Sequence, residues 1–599
     1  MTQAIADRRH LDLLLHDMLD IGGLCRYERY AEHDRDTFDQ VIELAEQLAR
    51  EVFLPHNRKS DLNEPQMVDG KVQLIPEIGQ ALQAFNESGF MAMYADAQDG
   101  GLQLPFLVTA VCDALFATAN VGTVAYPLLA RAAANLLAVH ADERQRRLYM
   151  QPIVAGRYYG TMCLSEPQAG SSLADITTTA HPQPDGSYRL RGAKMWISAG
   201  DHELGENIVH LVLARIDGAP AGVRGISLFI VPRWRVNEDG SRGPRNDVQL
   251  AGLNHKMGQR GSVNTFLKFG ENDDCLGELI GQPHHGLAYM FHMMNEERIG
   301  VGMGAVQQGY AGYLYSLQYA RERRQGRHPD QRDPNAPMLP IIEHADVRRM
   351  LLQQRVYVEG AQCLGLFASK LVDEAAHDPI PEQRHNAHLL LELLTPIIKA
   401  WSSDYCLKAN ELAVQILGGY GYTRDYPVEQ NYRDNRINPI HEGTNGIQAL
   451  DLLGRKLMAE KGAALGLLLQ RIEHCCRLAD GDEALQPYAQ ALREAASRAA
   501  NSSRLAAQRM AGGEIRPVLA NAHWYMQLLG HVCIGWMWLW QAQAARQRAT
   551  TDSTLAEFAD GKLAACRFFF STELPLTVHW AALLDSVDRS ALDCPPEAF

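Results

Sequence analysis

The sequence predicts an α+β fold in which a compact β unit separates helical regions, and two changes in hydrophobic spacing predict it. From the start to about residue 155, apolar residues recur three and four apart, as in FDQVIELAEQLAREVFLPHN and FLVTAVCDALFATANV. That is helical spacing, joined by Gly-rich turns such as DAQDGGL. From 156 to about 280 the runs shorten to YRLRGAKMWIS, IVHLVLARI, GISLFIVP and VNTFLKFG, separated by Asn, Asp, Gly and Pro clusters, which predicts strands. Helical spacing returns at 281 and continues through 455, broken once by the loop-like RRQGRHPDQRDPNAPMLP. Ala-, Leu- and Arg-rich helices then fill an additional domain over 456–599.

At 599 residues the chain is long enough for several cores, and 46% hydrophobic with 21% charged residues is an ordinary globular balance. A formal net charge of -14 argues against a nucleic-acid or anionic-membrane binder, since both reward a basic surface. The 11 cysteines show no CxxC pair and no His spacing for zinc, so no metal site is expected and a reducing, cytoplasmic setting is the simplest expectation. Charges interrupt MTQAIADRRHLDLLLHDMLD where an export signal would need an apolar run. WYMQLLGHVCIGWMWLWQ at 524–541 carries Gln527 and His531 and is expected to be a buried helix, without stable membrane insertion.

Three motifs carry chemistry. CLSEPQAGSS at 163–172 brings a strand into a Pro-Gly loop with hydroxyls and backbone N–H groups, suited to a polar ring edge and a phosphate. KMWISAG at 194–200 offers Trp196 as a flat apolar wall, with Ser198 two residues on and so on the same strand face. The third, QILGGYGYTRDYPVEQNYRDNRINPIHEGTNGIQ, holds Glu442 among Ile437, Pro439, Ile440 and Ile447. A carboxylate there either faces solvent at a turn or sits in an apolar pocket that raises its proton affinity and makes it a base.

In this order, with this succession of helical and β regions, the motifs resemble the acyl-CoA dehydrogenase family over about residues 40 to 455. The tail resembles, by length and helicity, the extra domain of the family's larger very-long-chain-like and methylthiopropionyl-CoA-like members. The resemblance implies an N-terminal helical domain, a middle β-barrel-like domain, a four-helix bundle and the extra helical domain. It also implies FAD as cofactor, with desaturation of acyl-CoA thioesters in fatty acid β-oxidation. By that resemblance Glu442 is the base that removes the α proton while FAD takes the β hydride. Ser165 and Ser198 bond the flavin ring, Trp196 stacks on it, Ser171 meets the pyrophosphate, and Thr444, Gln415 and Gly419 reach the cofactor. Arg323 and Gln325 are implied as FAD contacts from a neighbouring subunit, although the aromatic residue usual before Gly326 is missing. Ser171, Asn295, Arg298 and Gly443 are implied on the substrate side.

Glu297, directly before Arg298, is a competing base, because a few relatives place theirs there; those lack the acid that this chain has at Glu442. Thr444 stands where family oxidases show Asp, which favours electron transfer to an electron-transfer flavoprotein over oxygen. A nucleic-acid-binding relative of the fold is the remaining class, and the near balance of charge in the tail disfavours it. His441 could tune the base or simply pack. Ala114, Ala117, Ala119 and Gly122 are expected to leave room for a straight medium to long acyl chain. The extra domain is expected to cover the surface that smaller relatives use to form tetramers, giving a homodimer.

Overall fold

The computed structural model describes residues 4–599, except for the side chains of 291–295. The chain divides into two compact units, one from Gln40 to Glu297 and one joining the segment up to Asp39 to Arg298–Phe599. The region expected to form one helical domain over 1–155 is therefore divided. Helical spacing shows that a helix has an apolar face but not which core receives it. Leu13, Leu14, Leu19, Ile21 and Leu24 are buried. Tyr30 donates to Asp373 at 2.6 Å, and Arg548 pairs with Asp17 at 2.9 Å.

In the 40–297 unit, Pro76–Glu87 begins with proline and buries Ile78, Ala81, Leu82 and Phe85 along one stripe. The long helix Phe106–His140 leaves helical geometry at Asn120, whose side-chain oxygen Oδ1 accepts from the Thr123 N–H at 3.1 Å and restarts the helix. This helix is apolar and long enough to cross a membrane, yet 83% of its most apolar window is buried in protein. Phe53, Phe85 and Phe90 pack around Phe116 with ring centroids 4.8 to 5.1 Å away.

The strands follow the order Val248–Leu253, Asn264–Phe269, Tyr188–Ser198, Leu276–Leu279, Ile226–Pro232, Asn207–Ile216, Tyr158–Cys163. Thr179–Pro182 pairs with both Tyr188–Ser198 and Asn207–Ile216, which closes the middle of the sheet into a barrel-like ring. Leu190, Val212, Phe229, Val231, Leu267 and Phe269 fill its core. One expectation fails here. Gly122 leaves no room for a ligand, because a Cβ at this position would lie 3.2 Å from the Gly261 Cα; its smallness permits close backbone packing.

In the other unit, α1 (Ala345–His377) and α2 (Pro381–Leu417) pack along each other, and the extra domain covers them through α3 (Ala522–Thr551) and α4 (Ala556–Thr572). Trp538 is fully buried and donates its indole N–H to the Val356 carbonyl at 2.9 Å. Trp401 and Tyr405 stack at 4.3 Å; Trp401 donates to His531 Nδ1 at 3.0 Å and Tyr405 to Gln527 at 2.7 Å. Gly530 allows that approach, since a Cβ there would sit 2.4 Å from the Trp401 ring. The apolar stretch at 524–541 is thus the seam between the extra domain and the bundle.

A buried ionic cluster fastens the same seam. Lys562 Nζ donates to Glu359 at 2.8 Å, to Gln541 at 2.9 Å and to His10 Nδ1 at 2.7 Å, while Arg355 Nε donates to both Glu359 oxygens at 3.1 Å. Burial alone would raise the Glu359 carboxyl, but Arg355 and Lys562 hold it well below the usual range. Burial lowers the Lys562 ammonium to about 8 and the His10 imidazole to about 3. Removing one member of such a cluster strands the others, at a cost of about 3–5 kcal/mol. Truncation after Lys456 should therefore give aggregated protein by light scattering, and the intact protein should not sediment with anionic liposomes. A monodisperse truncated protein, or lipid binding by the intact one, would reverse this account of the domain.

Candidate active site

In the β unit the 163–172 loop is built around Glu166. Its side chain is buried and accepts six hydrogen bonds: from the backbone N–H and hydroxyl of Thr177 (2.7 and 2.8 Å), those of Thr178 (3.0 and 2.6 Å), Lys194 Nζ (2.9 Å) and Gln168 (2.8 Å). Burial by itself would raise the carboxyl, but the Lys194 charge and these donors outweigh it and bring it down to about 2. Lys194 also donates to the Leu164 carbonyl at 3.0 Å, and the Met195 N–H to Ser165 O at 3.0 Å, so the loop is fixed to the strand bearing Trp196.

Trp196 and Ser198 share the outer face, though not by simple alternation. The pairing of Tyr188–Ser198 with Asn264–Phe269 shifts register there, and Trp196 takes a left-handed φ of 67°. This bulge turns Lys194 and Ile197 inward and leaves the indole 61% exposed. Ser198 Oγ accepts from Asn264 at 3.2 Å and keeps its own proton for another acceptor. Ser171 lies on an exposed stretch, and no described residue accepts from the N–H groups of Gly170, Ser171 or Ser172. An exposed indole face, the Ser165 and Ser198 hydroxyls and a row of free amide donors fit the aromatic ring and pyrophosphate of FAD.

In the helical unit, Glu442 is half-buried with a left-handed φ of 52°, followed by Gly443 at 82°. Burial raises its carboxyl above the usual range, against the opposing charges of Arg298 and Lys399. Gln448 Nε2 donates to the Glu442 carbonyl at 3.0 Å, and the Asn445 N–H to Pro439 O at 3.1 Å. No described residue accepts from the Glu442 N–H. Thr444 caps the helix Asn445–Asp451. His441 bonds Asn438 at 3.0 Å, Asn438 donates to Asn435 at 2.9 Å, and Asn435 to Asn410 at 2.6 Å. Burial lowers His441 to about 3, so it is a neutral end of this chain of amides rather than a charge beside Glu442.

Arg298 is buried and pairs with Asp451 at 3.1 Å, and among the described residues its Nε has no partner. The guanidinium of exposed Arg323 lies 5.5 Å from the centroid of the Tyr420 ring, close to exposed Gly419. Gln415 is exposed on the last turn of α2, and exposed Gln325 bonds by its backbone to Leu339 and His344. Asn295 lies outside the residues whose side chains are described. Thus Ser165, Ser171, Trp196 and Ser198 belong to the β unit, Arg298, Glu442, Gly443 and Thr444 to one part of the helical unit, and Arg323 and Gly419 gather at another.

Sequence reasoning passed over Glu166, Lys194, Lys399 and Asn445. A signal existed for Lys399, a single cation in the apolar run LLTPIIKAW. Glu166 contributes stability that is present above the ordinary Glu range and is lost as pH falls towards about 2. Glu166→Gln should therefore lower stability at neutral pH by about 3–5 kcal/mol, flatten the acid side of the stability curve in urea titrations, and weaken FAD retention.

Three family models match: the acyl-CoA dehydrogenase middle domain over 161–269, the acyl-CoA dehydrogenase C-terminal domain over 284–458, and the acetyl-CoA dehydrogenase C-terminal-like domain over 468–595. The chain is 36% identical to 3-methylmercaptopropionyl-CoA dehydrogenase of Ruegeria pomeroyi, covering 90% of this chain and 91% of that protein. It is 32% identical to a broad-specificity linear acyl-CoA dehydrogenase of Mycobacterium tuberculosis, covering 98% of each. In fold it resembles an acyl-CoA dehydrogenase from Bacillus anthracis in complex with FAD, with a TM-score of 0.74 at 21% identity over 94% of this chain and 90% of that one. The chain belongs to the acyl-CoA dehydrogenase family and is an FAD-dependent oxidoreductase of its larger type, with the extra C-terminal helical domain.

Proposed function

We propose that the protein desaturates the α,β bond of a linear acyl-CoA thioester, with Glu442 as the base, and delivers the electrons to an electron-transfer flavoprotein. The observation that carries this reading is Glu442 itself: a half-buried carboxylate with raised proton affinity on a left-handed residue whose own N–H has no acceptor among the described residues. The carboxylate takes the α proton, and the free N–H is a donor for the thioester oxygen as negative charge develops there. FAD, when bound, supplies the acceptor for the β hydride. Ser165, Ser198 and Trp196 hold the flavin ring, the 170–172 amides and Ser171 its pyrophosphate, and Thr444, Gln415 and Gly419 also serve the cofactor. Arg298 and Gly443 serve the substrate.

A linear acyl group is supported by the names of the relatives, which include a butyryl-CoA dehydrogenase of Syntrophomonas wolfei at 32% identity over 99% of this chain. A homodimer in which Arg323 and Gln325 serve the partner's FAD accords with the exposure of both residues. A place in fatty acid β-oxidation in the cytoplasm belongs to the same proposal, and all 11 cysteines being free thiols is in keeping with it.

Purified protein should be yellow, and a linear acyl-CoA added without oxygen should bleach it; kcat/KM across straight and branched chains of graded length identifies the acyl group. Glu442→Gln should stay yellow and bind acyl-CoA while flavin reduction falls by roughly three to five orders of magnitude. Because a carboxyl with a raised pKa costs stability once ionised, the same variant should unfold at an equal or higher Tm at neutral pH. In the wild type, reduction should be lost as pH falls through a midpoint above the ordinary Glu range. Near-normal reduction by Glu442→Gln would transfer the role to Glu297.

A further inference from the structure

Behind the Glu442 loop lies a buried cation whose two strongest contacts are both with that loop. Lys399, on α2, has no exposed surface. Its ammonium donates to the Gly443 carbonyl at 2.7 Å and to the Asn445 side-chain oxygen at 2.9 Å. Asn445 is held in turn by α2, donating to Ala400 O at 3.2 Å, Ser403 Oγ at 3.0 Å and Asp404 at 2.7 Å. A left-handed glutamate costs about 1–2 kcal/mol and persists only if its surroundings impose it. Two tethers do so on consecutive carbonyls: Gln448 on Glu442 O and Lys399 on Gly443 O.

We infer that Lys399 is a positioning residue for the base, its ammonium fixing the aim of Glu442 through the Gly443 carbonyl while its charge keeps the carboxylate ionisable. This rests on Glu442 being the base. The charged groups facing Glu442 are Arg298 and Lys399, and those facing Lys399 are Asp404, Glu442 and Arg298; the adjacent His441 is neutral. Arg298 is already engaged by Asp451, so Lys399 is the cation tied to the loop itself. Without it, burial of Glu442 would be opposed by Arg298 alone, and the carboxyl would hold its proton to higher pH.

The variants Lys399→Met and Lys399→Gln separate aim from charge, since Gln retains an N–H donor without the charge. Both should keep FAD and a cooperative unfolding transition. In both, the acid limb of the flavin-reduction rate should move up by about one pH unit. In the Met variant the limiting rate should also fall on the order of tenfold to a hundredfold with KM nearly unchanged, as expected from a displaced base, and the Gln variant should recover most of that loss. Hydrogen exchange across 437–448 should accelerate in the Met variant and return towards wild type in the Gln variant. If the variants do not fold, the wild type still decides: burial lowers the Lys399 ammonium to about 8, so reduction should decline and exchange of that loop should rise above this pH. An unmoved acid limb in both variants, or a wild-type alkaline limb that is flat, overturns the proposal. Glu442→Gln distinguishes the two levels: if that variant is dead while the Lys399 variants keep the wild-type pH profile, the base stands and the role of Lys399 falls.

Discussion

A charge removed from water must be met inside the protein by opposite charge or by hydrogen-bond donors, and the organisation of this chain follows from where it meets that demand. Glu166 and Lys194 are both nearly fully buried, and the bonds that satisfy them tie the 163–172 loop to a strand of the barrel-like sheet. Glu359, Lys562 and His10 perform the same service between α1, the extra domain and the N-terminal segment, residues up to 552 positions apart. In each case the ionic contact specifies which segments meet, while apolar packing such as that of Trp538 and Trp401 drives the burial.

The distant partners explain what the sequence could and could not reveal. Period and breakers sufficed for the helix, β, helix succession, because they depend on neighbours within about ten residues. The motif around Glu442 was legible because an acid in an apolar stretch is chemically conspicuous. Lys399 is conspicuous in the same way, as a lone cation in an apolar run, but its role was not legible, since it depends on a carbonyl 44 residues further along the chain. Nor was the docking of residues 4–39 with 298–599, for the Leu-rich spacing of LDLLLHDML would suit any apolar surface. Trp196 lies between these cases: its outward face follows from the sequence, but the bulge that keeps Ile197 in the core while exposing the indole depends on the register of a partner strand.

Small residues show the same limit. Gly122 looked like space for a ligand and proved to be the place where two backbones pass, while Gly530 gives up its side chain to the Trp401 ring. A missing side chain states that something is close, not what it is. Gly443 is different, because its φ of 82° favours glycine directly after Glu442, and the Gln448 amide stands 2.8 Å from where a Cβ would lie.

Glu166 and Glu442 are the same residue type, one buried and one half-buried, with proton affinities shifted in opposite directions. Glu166 accepts six hydrogen bonds, so its charge is dispersed over donors that would be orphaned if it took a proton. Glu442 is influenced only by burial and by the charges of Arg298 and Lys399, with no donor on its carboxylate among the described residues. The first arrangement makes a carboxylate inert and the surrounding loop rigid. The second leaves a carboxylate with room for a proton and a backbone fixed by tethers on its carbonyls rather than on the acid itself. The difference between the two glutamates therefore follows from the number of donors each is given, and the less satisfied of the two is the one that binds a proton more readily.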